Sequence, residues 1–340
     1  MNRQVPLPSL SNAPRCGILE TEAAARYDNP RFAIETQTKE AEMELSRLTS
    51  ACDGLSLEVA WLAPAGEPRG IVQLSHGMAE HKERYFPFME YLSAHGYVTV
   101  IHDHRGHGAS VKDKGDLGYF YTERPADIAE DLYQVNRWAH ERYPDLPILL
   151  FSHSMGTLVA RVFLESHDDA VAKAVLCGPP TENKLAPVGI ALAKLNACFF
   201  GMNHRSAFLN RLTFGTYTNR GEAENAWVCS NPEVLAAYGE DDLCGYIFTD
   251  NGCLNLYRLM QEAFRKSAWQ VKNPSLPLLL IAGEEDPVIG NRKKFDALVA
   301  FLRARGYTDV GSRLYSGLRH ELLNEIGKEK IWEDVLGFLE

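Results

Sequence analysis

The chain has 340 residues, 45% of them apolar and 24% charged, a usage that excludes disordered, collagenous and low-complexity classes. Asp and Glu outnumber Lys and Arg 45 to 35, a formal charge of −10, which is the wrong sign for gripping phosphate backbones and argues against a nucleic-acid partner. The seven cysteines lack C-x-x-C pairs, so a disulfide framework or zinc module is not expected and a reducing, cytoplasmic setting fits.

Residues 1–45 mix Pro, Asn, Arg and Glu without an apolar signal region and read as an extension holding one short helix, Lys39 to Leu48. From Leu55 the pattern Leu55, Leu57, Val59, Trp61 alternates with polar or small residues, the period of a half-buried strand. Gly70 to Ser75, Tyr97 to Ile101 and Pro147 to Phe151 are short apolar runs suited to strands covered on both faces. A helix opening at Pro125 carries Ile128, Leu132, Val135 and Ala139 on one face. Helix 155–166 and strand Val171 to Cys177 continue the alternation, which then stops for about 90 residues.

That gap reads as helices Ile190 to Phe200, Ser206 to Phe214 and Leu254 to Phe264 with loops between. Its longest apolar stretch, Val188 to Phe200, is interrupted by Lys194 and Asn196 and is too short to span a bilayer, so no stable membrane insertion is expected. Strand Pro277 to Ala282, a helix with Phe295, Leu298, Val299 and Leu302 on one stripe, strand Arg313 to Tyr315 and helix Lys328 to Leu339 close the chain. Alternating strands and helices predict an α/β fold with a mostly parallel central sheet flanked by helices. The predicted division is a core of residues 46–178 and 270–340 interrupted by a helical cap, 179–269, after the sixth strand.

The chemistry concentrates at strand ends. Ser152-His153-Ser154-Met155-Gly156 lies at a strand-to-helix junction and has small residues two before and two after Ser154, as a tight nucleophile elbow requires. A serine hydroxyl needs a histidine base, and the histidine needs a carboxylate to fix its tautomer. The order serine, acid, histidine is met by Asp286, with Glu284 and Glu285 as competing acids, and by His320. Oxyanion N–H donors are expected from Met155, right after the serine, and from Met78, after the strand ending at Ser75.

These segments, with His76 to His81, Asp103 to Ser110, Asp286-Pro287-Val288 and Arg319-His320-Glu321, resemble the monoacylglycerol lipase and lysophospholipase branch of the α/β-hydrolases, also called the serine aminopeptidase family. The likeness runs from about Leu55 to the C-terminus. It implies the α/β-hydrolase fold, Ser154, Asp286 and His320 as a triad, and cleavage of carboxylic esters through an acyl-enzyme. Ser152 stands where the family has Gly, and Thr157 where many members have Gly or Ser.

Further expectations concern the substrate and the surroundings of the site. The cap position and composition imply an apolar acyl tunnel. His76, Gly77, His153, Phe199, Phe200 and Phe214 are the candidate substrate contacts, and a small ester or lipid-like molecule is the partner; oligomeric state stays open. No cofactor is implied, and His102, His104 and His107 are not read as a metal set. Asp103, Arg105, Glu80 and Arg84 are expected to form one ionic network bracing the loop of Met78. Two rival readings remain. An aminopeptidase or amidase would use Glu222, Glu224, Asp241 or Asp242 to hold an amine, and a non-catalytic homologue would keep the fold as a binding pocket.

Overall fold

The computed structural model describes residues 42–215, 217 and 225–340. Strands β1 (Glu44–Thr49), β2 (Ser56–Leu62), β3 (Gly70–Ser75), β4 (Tyr97–His102), β5 (Ile148–His153), β6 (Lys173–Cys177), β7 (Leu278–Gly283) and β8 (Val310–Tyr315) form one sheet in the order β1-β2-β4-β3-β5-β6-β7-β8. Only β1–β2 and β2–β4 pair antiparallel; the other pairs are parallel. Helices α1 (Phe86–Ala94), α2 (Pro125–Arg142), α3 (Met155–His167), α4 (Ala186–Phe200), α5 (Ala207–Phe214), α6 (Pro232–Glu240), α7 (Asp250–Glu262), α8 (Arg292–Arg305) and α9 (Lys328–Leu339) complete the described elements.

Two apolar clusters, one on each face, bury the sheet. One gathers Ile128 and Leu132 of α2, Leu158 and Phe163 of α3, and Phe295 and Leu298 of α8. The other gathers Phe88 and Met89 of α1 with Ile331 and Val335 of α9. This double cover explains why β3, β4 and β5 are buried at every residue and read as unbroken apolar runs. It also leaves their carboxyl ends as the open rim where loops meet.

The expected helix at Lys39 to Leu48 is corrected: from Glu44 the chain is strand β1, hydrogen-bonded in register to β2 from Glu44↔Trp61 to Thr49↔Ser56. Local helix preference in Glu44 to Leu48 gives way to a neighbouring strand that supplies partners for its backbone. The boundary expected at residue 46 therefore falls inside this strand, and residues before 42 lie outside those described. Helix α6 was not expected at all; Asn231 caps it through its side chain on Glu233 N–H, with Pro232 in the first turn. Among the described residues, no helix is long and apolar enough to cross a membrane.

Candidate active site

Strand β5 ends at His153 and α3 begins at Met155, so Ser154 alone makes the turn, at φ 51° and ψ −119°. An L-residue resists such a backbone, which costs of the order of 1–3 kcal/mol and persists where the surroundings over-determine it. Here the surroundings are close. A Cβ on Gly156 would lie 2.2 Å from Ser75 O and 2.6 Å from His76 O, so only glycine lets α3 approach β3. Ser152 is accommodated differently, its buried Oγ donating to Val175 O of β6 at 3.0 Å.

The structure brings Ser154, Asp286 and His320 together. Ser154 Oγ lies 2.8 Å from His320 Nε2, and His320 Nδ1 lies 2.9 Å from Asp286 Oδ2. Asp286 Oδ1 accepts Val288 N–H, which fixes the carboxylate plane. With Nδ1–H donating to the carboxylate, Nε2 presents its lone pair to the serine hydroxyl, the tautomer a general base requires. All three residues are buried. Glu284 and Glu285 are exposed, so neither competes as the acid.

Opposite the triad, Gly77 backs onto the serine: a Cβ there would lie 3.2 Å from Ser154 Cβ. Its N–H donates to Glu80 Oε1, and Met78 follows it in the chain. Met155 opens α3, where the first N–H groups of a helix have no intrahelical acceptor. Glu80 also accepts from Tyr85 OH and Arg84, and Arg84 is held in a two-pronged pair by Glu321, the residue after His320. Burial opposes ionisation of Glu80, yet His153 and Arg84 hold its carboxyl well below the usual range. Burial likewise pushes His153 down, but its bond to Glu80 and that carboxylate's charge raise it above the ordinary histidine value.

The structure places the expected substrate contacts in different settings. His76 is fully buried; its Nδ1–H donates to Gly77 O and its Nε2 accepts His104 N–H, so both nitrogens serve the backbone. His153 is turned toward Glu80 and His320 O. Phe199 and Phe200 are 73% and 65% exposed and line no enclosed tunnel. The reason is the face α4 buries, which consists of Ala186, Gly189 and Ala193; Ile190 and Leu192 are half-buried against the core, and Val188, Leu195, Phe199 and Phe200 are left outside. The side chain of Phe214, and Glu222 and Glu224, lie outside the described residues.

The expected single ionic network is three. Glu80 and Arg84 join Glu321. Asp103 pairs instead with buried Lys82, which also meets Glu58, and Arg105 pairs with Asp131 and Asp53. His102, His104 and His107 are fully buried, and burial keeps all three below the ordinary histidine value, at about 3 for His102 and about 4 for His107.

Two residues at the site had not been singled out. Gly178, at φ 57°, sits where a Cβ would lie 3.0 Å from the His320 ring and 3.3 Å from Asp286 Oδ2. A glycine just past β6 was the available signal. The Trp227 ring lies 5.4 Å from that of His320; no local pattern announces it.

Fold and triad geometry together define an α/β-hydrolase of the serine-hydrolase class. The chain belongs to the serine aminopeptidase S33 family (Hydrolase_4), whose profile matches residues 66–327. The monoglyceride lipase of Rattus norvegicus is 31% identical over 290 residues, 83% of this chain and 85% of its own. The monoacylglycerol lipase of Mycolicibacterium smegmatis is 27% identical over 281 residues, covering 81% and 90%. The crystal structure of a highly thermostable carboxyl esterase from Bacillus coagulans in complex with glycerol superposes with a TM-score of 0.80 at 26% identity, covering 87% of this chain and 97% of that one.

Proposed function

We propose that the protein is a serine hydrolase that cleaves carboxylic esters through an acyl-enzyme, with a monoacylglycerol or lysophospholipid as substrate. The observation that carries this reading is the continuous relay Ser154 Oγ, His320 Nε2, His320 Nδ1, Asp286 Oδ2. Ser154 attacks the ester carbonyl while its proton passes to His320 Nε2, and Asp286 steadies the imidazolium. Met78 and Met155 N–H stabilise the oxyanion; one side-chain donor in such a site is worth about 2.7–4 kcal/mol. His320 then protonates the departing alcohol, and a water activated by the same Nε2 releases the acid and restores Ser154.

Residues 179–269 act in this reading as a cap over the site. In support, Val228 O accepts Glu321 N–H at 2.8 Å, Trp227 meets His320, and Gly245 N–H donates to Ala79 O at 2.9 Å. Large apolar side chains stand exposed on α4 and α5, among them Leu195, Phe199, Phe200, Phe208 and Leu212, which suits an amphiphilic substrate more than a polar peptide. The relatives named lipases support the same substrate class. The six described cysteines are free thiols, in keeping with a cytoplasmic setting.

A fluorophosphonate probe should label the wild type on Ser154 and leave Ser154→Ala unlabelled, and a panel of glycerol and nitrophenyl esters should show turnover rising with acyl length. Undiminished ester turnover in Ser154→Ala overturns the assignment. Faster cleavage of aminoacyl anilides than of esters replaces it with the amidase reading.

A further inference from the structure

Where the loop after β3 meets the segment after α6, His81, Asp241 and Cys244 come together away from the triad. Their candidate ligand atoms all lie within 4.8 Å of one another, and among the described residues they are the one group of His, Cys, Asp and Glu so arranged. We infer that these three side chains form a binding site for one borderline-soft divalent cation of the Zn2+ class, linking the loop of Met78 to the segment after α6.

The orientation of His81 carries the inference. Its Nδ1 faces Glu83 Oε2, while its Nε2 faces Asp241 Oδ2 at 2.7 Å. Each ring nitrogen thus has its own carboxylate, and with one N–H given to Glu83 the other nitrogen offers a lone pair on the side of Asp241. Metal-bound histidines characteristically donate the far N–H to a carboxylate, which aims the other nitrogen at the ion. Glu83 is placed to do this, leaving Nε2 pointed at Asp241 and toward Cys244.

The donor set agrees. One imidazole nitrogen, one carboxylate oxygen and one thiolate suit zinc at about 2.0–2.3 Å, with a water completing the tetrahedron. Ligand atoms at those bond lengths stand about 3.3–3.7 Å apart, so the 2.7 Å contact needs to open by roughly 0.6 Å and the thiol to move in by at most about 1 Å. Asp241 Oδ1 is held by Leu243 N–H, which leaves Oδ2 for the ion. Asp241 is a third exposed and so offers the route in, whereas His81 is nearly sealed and Cys244 is buried. Binding forms N–metal, O–metal and S–metal bonds and sends the proton shared by Nε2 and Oδ2, together with the thiol proton, to solvent; two negative ligands then balance the dication.

The consequence is mechanical. Ala79 O, one residue from Met78, already accepts Gly245 N–H and Tyr238 OH, so an ion held by His81 would cross-link the same two segments three residues from Met78. None of the three ligands touches Ser154, Asp286 or His320, and failure of this site leaves the ester-hydrolase reading standing.

The test uses the full chain stripped of metal and titrated with Zn2+ against a chromophoric chelator, then with Co2+. One ion per chain is expected at micromolar affinity or better, weakened at least about 30-fold in both Asp241→Asn and Cys244→Ser, with a thiolate-to-cobalt charge-transfer band in the wild type that Cys244→Ser loses. Both substitutions are near-isosteric, and circular dichroism checks that the variants fold. Absence of binding below millimolar Zn2+, binding that both folded variants retain unchanged, or a cobalt complex without the thiolate band each overturns the inference.

Discussion

The rim of the sheet and the helices between β6 and β7 meet around the same serine but are built on different physics. At the rim, position is dictated by collision and charge: Gly156 and Gly178 are places where one methyl group would strike a neighbour, and Glu80, Arg84 and Glu321 close a buried ionic chain. In the helical segment, α4 buries its smallest residues and exposes its largest. The first arrangement tolerates almost no change; the second tolerates much. The contrast separates a part that sets the chemistry from a part free to set what is bound.

The largest effect should come from the turn itself. Ser154→Gly is expected to lower ester turnover by about 10⁴-fold or more while raising unfolding free energy by about 1 kcal/mol, because glycine accepts the positive φ that serine resists. Esterase assays paired with urea unfolding measure both; a destabilised variant would mean the rim does not hold that strain.

Next, Gly178→Ala should cost about 10–100-fold in kcat with KM little moved, since a Cβ 3.0 Å from the His320 ring pushes it off the serine. Retained kcat would show that the rim can give way.

A smaller, selective effect is expected from Phe199→Ser combined with Phe200→Ser. Turnover of a short soluble ester should stay within twofold, and turnover of a micellar long-chain monoacylglycerol should fall several-fold as exposed apolar surface is lost. Equal losses on both substrates would break the division of labour.

The smallest effect lies at the seam, where Glu165 of α3 faces the α7 side. Burial, and then the charge of Glu262, push its pKa up to about 8. The unfolded chain ionises this group near the ordinary glutamate value, so the stability it contributes is full below about pH 4.5 and is lost as pH rises toward 8. Glu165→Gln should flatten that slope and be the more stable form at pH 8 by about 1–2 kcal/mol, part of the charge being screened by solvent. Thermal melts from pH 5 to 8 decide it; parallel curves for the two proteins would refute the burial argument.

How much of this was readable beforehand follows the same contrast. Ser154, Asp286 and His320 stood out because each sits where a strand pattern stops, and the small residues around the serine are a steric demand visible in one dimension. Strand β1 was hidden because its pairing with β2, not its composition, makes it a strand. Phe199 and Phe200 were apolar enough for a tunnel, but composition does not say which face of α4 the partner helix takes. The ionic network was misjudged for a similar reason: Lys82 reaches Asp103, and Arg105 reaches Asp131, through contacts that only the folded sheet creates.

The indole of Trp227 beside the His320 imidazole gives the protein a built-in optical probe. Protonated imidazole quenches indole emission, so the fluorescence removed by Trp227→Phe should dim as His320 gains its proton. Stopped-flow emission would then time the proton's arrival and departure in each turnover without any added dye, and a difference signal that ignores substrate would show that the two rings do not communicate.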